Sequence, residues 1–239
     1  MLAQNFKVYV SGFHDWPDNL QDARGFNRWR CATNPSGRLF IGEWFEGAVK
    51  PDATRGELPQ ALREMRQTST GRPIEWHFAT LPVVWGVGAS IAAQNFDVVV
   101  NIGLGGCDDL TTINLEKGAF NGRISGTDAA AIVPGVSAGT GSVINEGAPE
   151  FLPEPEAQAV KLDRLKGPIG ATGYTARPVE ARRDNAFVCN ETHDIVLRRL
   201  GTGARPIEAY FIHIPKPPAD DGYHDLSTAL MHIIRNLIG

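Results

Sequence analysis

The chain has 239 residues, of which 42% are hydrophobic and 21% are charged, and its formal net charge is −4. This composition is typical of a globular protein with a large core, and the length permits one large domain or two small ones. The acidic balance excludes the strongly basic surfaces that bind nucleic acid or anionic membranes. No stretch approaches the roughly 18 apolar residues of a membrane span. The opening MLAQNFKVYV lacks the basic and apolar segments of a secretory signal.

Three cysteines, Cys31, Cys107 and Cys189, are an odd number and lie far apart in the sequence. This pattern argues against a disulfide framework, and it predicts a reducing compartment such as the cytoplasm. We therefore expect free thiols, one of which is available for chemistry.

Short β-rich runs alternate with segments of helical periodicity. In chain order the predicted elements are a strand at 6–13, a helix at 56–70, a strand at 74–86, a short helix at 87–95, a buried strand at 96–106, a half-buried strand at 111–121, a helix at 187–201, a strand at 206–215 and a helix at 225–238. Asp225 and Ser227 are competing N-cap candidates for the last helix. The alternation predicts an α/β layered fold with a largely parallel or mixed sheet, in which functional residues gather at strand ends.

The segment 125–177 is rich in Gly, Pro, Ala and Ser and shows one helix-like patch, near EPEAQAVKLDRL. It is open to three interpretations: a lid, an oligomer contact or an irregular loop. Within it, GVSAG (135–139) fits the G-x-S-x-G elbow of serine hydrolases. That elbow needs a helix directly after the serine, whereas TGSVINEGAPEF follows here. Ser137 is therefore a weak candidate nucleophile.

The glycines of NIGLGG (101–106) follow a predicted strand, as in a dinucleotide-binding turn. The fingerprint is incomplete, because no correctly spaced third glycine opens a long helix. A tight turn at a strand end is the simpler interpretation.

Cys189 and His193 stand four residues apart, which places both on one helix face and suits a metal pair. No second cluster of Cys, His or carboxylates supplies the remaining ligands. Taken alone, Cys189 is more simply a buried structural thiol. Its position at a helix N-terminus also suits a nucleophile, because the helix dipole favours a thiolate there.

A cysteine nucleophile needs a histidine within hydrogen-bond reach and a third group that orients the histidine. His213, in FIHIP, lies at the end of a predicted strand and before a proline. Its alternative is a half-buried histidine satisfied by a backbone carbonyl. Glu116 interrupts the β-rich TINLEKGAF, and its carboxylate either faces solvent or turns inward towards a partner.

Motifs along the whole chain resemble those of the pyroglutamyl peptidase I (pyrrolidone-carboxylate peptidase) family. The matching stretches, in order, are KVYVSGF with Trp16 three residues on, NPS (34–36), LPVVWG (81–86), DVVVNIGLG followed by INLEKGAFN, FVCN and FIHIP. The resemblance implies a single hydrolase domain over 1–239, built as a three-layer α/β/α sandwich, and a cysteine peptidase. It also implies an enzyme without a cofactor or metal that acts on a small peptide or amide substrate as a homo-oligomer, a dimer or tetramer.

Carried over residue by residue, the resemblance implies that Cys189 is the nucleophile, His213 the general base and acid, and Glu116 the group that orients His213. It further implies a substrate slot in which Phe13 and Trp16 sandwich a lactam ring and Phe187 and Val188 form an apolar wall. The equivalent of Arg123 assists at the oxyanion. His193 is then a helix residue without a part in the chemistry.

The sequence also departs from the family pattern. Trp16 stands where the family usually has phenylalanine, and GRISGTDAAA keeps Arg123 and Ile124 but loses the Pro-Asp-Asn that follows in the family. The resemblance implies cleavage of an N-terminal pyroglutamyl amide through a thioester acyl-enzyme, and the departures put this substrate in question. The alternative is a divergent member that hydrolyses another small cyclic or acylated amide, for instance in specialised metabolism. A serine hydrolase using Ser137 and a non-catalytic binding protein are the remaining candidates.

Overall fold

The computed structural model describes residues 5–13, 39–40, 56–105, 110–124, 141–183, 186–199, 207–215 and 223–239. The strands in these residues are β1 (Phe6–Phe13), β2 (Ile74–Leu81), β3 (Val98–Leu104), β4 (Thr112–Lys117), β5 (Ala119–Phe120), β6 (Arg123–Ile124), β7 (Gly141–Ser142), β8 (Phe151–Leu152), β9 (Gly167–Pro168), β10 (Thr175–Glu180) and β11 (Glu208–Ile214). The helices are α1 (Glu57–Arg63), α2 (Gly88–Ala92), α3 (Glu156–Arg164), α4 (Val188–Arg199) and α5 (Tyr223–Ile238).

Seven strands form one mixed sheet in the order β2-β1-β3-β11-β4-β10-β9. The first four run parallel to one another, whereas β4 runs antiparallel to β11 and parallel to β10. Two small ribbons, β5 with β8 and β6 with β7, extend from the main sheet. The carboxyl ends of β1, β3 and β11 therefore meet at one edge of the sheet.

Two hydrophobic cores lie on opposite faces of this sheet, because successive strand residues point to opposite sides. On one face α1, α3 and α5 cover a large cluster that includes Val100, Ile212 and Leu230. On the other face α2 and α4 cover a smaller cluster that includes Phe13 and Val188. The predicted three-layer α/β/α arrangement is confirmed. No helix in the described part of the chain is long and apolar enough to cross a membrane.

The structure corrects two predictions about individual elements. The last helix begins at Tyr223, so Asp225 and Ser227 lie inside its first turns and neither is the N-cap. The second concerns the end of the segment 125–177, where strand β10 begins at Thr175 and continues to Glu180 through Pro178. Because β9 pairs only with Thr175 and Ala176, β10 is an edge strand at Pro178, where a proline is tolerated.

Candidate active site

Cys189, His213 and Glu116 form a continuous chain of contacts. The Sγ atom of Cys189 lies 3.4 Å from Nε2 of His213, and Nδ1 of His213 donates a hydrogen bond of 2.7 Å to Oε1 of Glu116. His213 and Glu116 are buried, at 1% and 5% exposure, whereas Cys189 is partly accessible. The structure therefore turns Glu116 inward and gives His213 a carboxylate partner.

The register of two antiparallel strands brings the histidine and the carboxylate together. Phe211 of β11 pairs with Glu116 of β4, and His213 pairs with Asn114. Glu116 and His213 are consequently diagonal neighbours on one face of the sheet, close enough for long side chains to meet. Helix α4 covers this face and supplies Cys189 from its first turn.

Gly103 is the next-to-last residue of strand β3, and its lack of a side chain gives the thiol and the imidazole room to meet. A Cβ atom at this position would stand 3.0 Å from Phe211 Cζ, 3.1 Å from Cys189 Cβ and 3.3 Å from His213 Cδ2. Only glycine fits there without displacing these side chains. This glycine of NIGLGG therefore lies within β3 and serves close packing, not a turn.

The pKa of His213 reflects opposing influences. Burial disfavours the charged imidazolium and lowers the pKa, but the charge of Cys189 and hydrogen bonds to Cys189 and Glu116 outweigh it and raise the pKa to about 10. A protonated histidine beside the sulfur is the arrangement that stabilises a thiolate. Because Cys189 is the second residue of α4, its backbone N–H is one of those that lack a partner within the helix.

An apolar cluster adjoins the nucleophile position. Phe13 and Val188 are buried in it at 3% and 5% exposure, and Cys189 packs against it. Trp85, in the loop after β2, packs against the same cluster. Phe187 is partly buried and directly precedes α4. These residues could form one wall of a slot for an uncharged acyl group.

Arg123 is bound by Glu191, which the sequence analysis did not single out. Glu191 lies two residues after Cys189 and is completely buried, and its Oε1 accepts a 2.5 Å hydrogen bond from Nε of Arg123. The Nη2 atom of Arg123 contacts the same oxygen. The guanidinium also lies over the ring of Trp85, with its Cζ 5.9 Å from the ring centroid.

Asn190 fastens α4 to the segment that follows Glu116. Its Oδ1 accepts a 2.8 Å hydrogen bond from the Phe120 N–H, and its Nδ2 donates to the carbonyls of Phe120 and Gly122 at 2.8 and 3.3 Å. The residue after the cysteine therefore fixes the helix relative to the strand that carries the carboxylate.

His193 packs in the interior beside the triad and does not lie on the helix surface. His193 is fully buried and its Nε2 lies 3.3 Å from Oε2 of Glu154, which also accepts the Gly118 N–H. Its ring stacks on Phe211, which in turn makes an edge contact with His213. His193 lines a small cavity together with Glu116, Asn190, His213 and other residues, with room for about one water molecule. His193 thus belongs to the surroundings of the triad.

Other candidates from the sequence lie outside the described residues. They are Trp16, Cys31, Asn34–Ser36, Cys107 and Ser137. Among the residues that are described, no three His, Cys, Asp or Glu side chains converge as they would to hold a metal ion.

Four residues of the site carried little signal in the sequence: Trp85, Asn190, Glu191 and Glu154. An acidic residue in the first turn of a helix is common on solvated helices, since it complements the helix dipole. Glu191 could therefore not be distinguished from a surface residue. Asn190 stood inside the FVCN motif, which was the one available indication of its role.

Comparisons with known proteins give a relationship at the level of the fold. No family model matches the chain, and no curated protein matches it. Pyroglutamyl peptidase I from Bacillus amyloliquefaciens superposes with a TM-score of 0.60 at 17% identity, covering 99% of this chain and 97% of that chain. Pyrrolidone carboxyl peptidase from Thermococcus litoralis gives a TM-score of 0.58 at 16% identity, with 97% and 92% covered.

A third solved structure, pyrrolidone carboxyl peptidase from Fervidobacterium islandicum AW-1, gives a TM-score of 0.57 at 17% identity, with 98% of each chain covered. The similarity therefore extends over nearly the full length of both chains in every case. The chain has the α/β fold of the pyrrolidone carboxyl peptidases.

Proposed function

We propose that the protein is a cysteine-dependent amidohydrolase that removes an N-terminal pyroglutamyl (5-oxoprolyl) group, and thus a divergent member of the pyroglutamyl peptidase I family. The observation that carries the proposal is the uninterrupted Cys189–His213–Glu116 chain at the start of a helix, with contacts of 3.4 and 2.7 Å. The shared fold and the motif resemblance support it.

In the proposed reaction the Cys189 thiolate attacks the carbonyl carbon of the pyroglutamyl amide, and the carbonyl oxygen becomes an oxyanion near the Cys189 N–H. His213 then protonates the leaving amine, the C–N bond breaks and a thioester remains. Water attacks the thioester, with His213 now acting as the base, and releases pyroglutamate and the free thiol. Glu116 holds the imidazole through Nδ1 in both steps.

The slot next to Cys189 suits an uncharged ring. Phe13, Val188 and Trp85 belong to one apolar environment, in which an uncharged lactam pays a smaller desolvation cost than a charged group. We assign Phe13, Trp16, Phe187, Val188 and Arg123 to substrate binding on the basis of the motif resemblance. A second candidate reaction is hydrolysis of another small cyclic or acylated amide. The attachment of Arg123 to the buried Glu191 favours this candidate, because Glu191 lies outside the motifs that resemble the family and yet binds the arginine assigned to the pocket.

The test is release of p-nitroaniline from pyroglutamyl p-nitroanilide. We expect Cys189→Ala to lower kcat by at least about 10⁴-fold, because the covalent step is lost. The controls are Ser137→Ala and a Cys31→Ser/Cys107→Ser double variant. Both should keep wild-type activity, and both should still lose it upon treatment with iodoacetamide. Turnover that survives Cys189→Ala would refute the proposal. Turnover of other acyl amides alone, lost with Cys189, would select the second candidate.

A further inference from the structure

Glu191 is a fully buried carboxylate with a charge that must be matched. Its two oxygens bind two different elements: Oε2 accepts the Gly86 N–H at 2.5 Å, and Oε1 accepts Nε of Arg123 at 2.5 Å. A buried ion of this kind is stable only when it is paired and hydrogen-bonded. Glu191 therefore ties the nucleophile helix to strand β6 and to the loop after β2 at the same time.

The two residues that Glu191 binds, Gly86 and Arg123, both adjoin Trp85. Gly86 directly follows Trp85, and Trp85 packs against the apolar cluster that Cys189 also contacts. Arg123 lies over the Trp85 ring, so the loop and the guanidinium support each other. The side chain of Arg123 is 26% exposed and that of Glu191 is not exposed. The guanidinium is thus partly accessible to solvent, whereas its counterion is not.

We propose that Glu191 is a positioning residue that holds Arg123 and the Trp85 loop in place and cancels the charge of Arg123, so that the site selects uncharged acyl groups. The inference rests on the proposed role of Cys189 as the nucleophile. A guanidinium without its counterion would attract carboxylates, whereas a paired guanidinium offers hydrogen bonds with little net charge. Glu191 in this way sets the charge preference of the acyl pocket without touching the substrate.

The chain offers a matched control for the loss of a buried ion pair. Asp194, one turn further along α4, has a side chain with no exposure and binds Arg198 through two contacts of 2.8 Å. The Arg198 side chain is 25% exposed, close to the value for Arg123. Glu191→Gln and Asp194→Asn therefore remove similar charges from the same helix at different distances from Cys189.

The experiment compares the alkylation of Cys189 by neutral iodoacetamide and by anionic iodoacetate in the full-length protein. In both reactions the thiolate sulfur bonds to the reagent carbon and iodide leaves, so that the ratio of the two rates reports the local charge. Mass spectrometry of the peptide that carries Cys189 excludes the other cysteines. We expect Glu191→Gln to raise the iodoacetate-to-iodoacetamide ratio by about fivefold, because the unmatched guanidinium attracts the anionic reagent. We expect Asp194→Asn to leave the ratio unchanged.

A double variant separates this effect from damage to the fold. The double variant Glu191→Gln/Arg123→Gln has no net charge at this position. Its iodoacetate-to-iodoacetamide ratio should return to the wild-type value, even if the single and the double variant are both less stable than wild type. In the substrate assay, Glu191→Gln should raise KM for the pyroglutamyl amide more than it lowers kcat, and should improve relative turnover of a glutaryl p-nitroanilide.

Equal alkylation ratios in Glu191→Gln and Asp194→Asn would overturn the inference. The alkylation ratio does not require any turnover. A protein that hydrolyses no pyroglutamyl amide but shows the predicted change in ratio would refute the proposed substrate and still support the role of Glu191.

Discussion

His213 lies between a thiol and a carboxylate, and both favour its charged form. Burial opposes the charge, but the pKa of His213 is nevertheless raised to about 10, chiefly through Cys189. The imidazolium form is therefore retained across the neutral range, where it can donate a proton to a leaving amine.

We predict that removing the thiol lowers the pKa of His213. In Cys189→Ala the charge and the hydrogen bond of Cys189, which raise the pKa of His213, are lost. The desolvation that lowers this pKa and the contact with Glu116 remain. NMR titration of the imidazole ring should show wild-type His213 still protonated well above pH 7 and the variant losing its proton at lower pH. The other five histidines provide internal references. The same titration midpoint in both proteins would contradict this account.

For single residues, the sequence predicted which side chains of the triad approach one another, but it did not predict which polar side chains around them are buried. Cys189, His213 and Glu116 were identified from a motif resemblance, and the structure brings them together. The burial of His193 could not be predicted, because it depends on Phe211 and Glu154, which are distant in the sequence. No local pattern distinguishes such a histidine from one on a helix surface.

Helix α4 shows the same limit for a whole element. Its residues Asn190–Asp194 are all polar and all buried, and each is held by partners from other elements or by its own helix. An amphipathic pattern would assign several of them to solvent. Periodicity predicted that the helix exists, but the buried polar contacts are tertiary and could not be predicted from it.

We predict that Asn190→Ala destabilises the protein by about 1–3 kcal/mol, because it leaves backbone groups of Phe120 and Gly122 without their partner. Denaturant unfolding measures this loss. The control is Asn236→Ala on α5, where an exposed amide donates only to the His232 carbonyl. We expect that change to stay within about 0.5 kcal/mol. A similar loss of stability in both variants would show that Asn190 does not fasten α4 to the segment that follows Glu116.

For the whole molecule, the sheet separates a large structural core from the face that carries the site. Helix α5 packs on the first face with Leu226, Leu230 and Ile233, while α4 and the candidate triad occupy the second. Alternation of strands and helices predicted these layers. It did not predict the strand order, because the position of β11 between β3 and β4 depends on pairings between segments that lie far apart in the sequence.

We predict that stability and activity can be separated across the sheet. Leu230→Ala removes a fully buried side chain and should lower the free energy of unfolding by about 2–5 kcal/mol. Below the unfolding transition, kcat/KM for the amide substrate should remain within about twofold of wild type, since a change of under about 0.4 kcal/mol is expected across the sheet. His232→Ala, on the exposed side of α5, is the control for unfolding. A large loss of kcat/KM in folded Leu230→Ala would show that the two faces are coupled.

The central position of β11 also governs when the protein can become reactive. β3 and β4 follow each other in the chain, but in the sheet β11 lies between them. Because β11 begins about 90 residues after β4, a long loop must close before it can pair, and such closure is slow. Glu116 and His213 are separated by 97 positions, so they meet only after β11 is inserted. A partly folded chain therefore carries an ordinary, unpaired thiol, and the activated thiol–imidazole pair forms only when the sheet is complete.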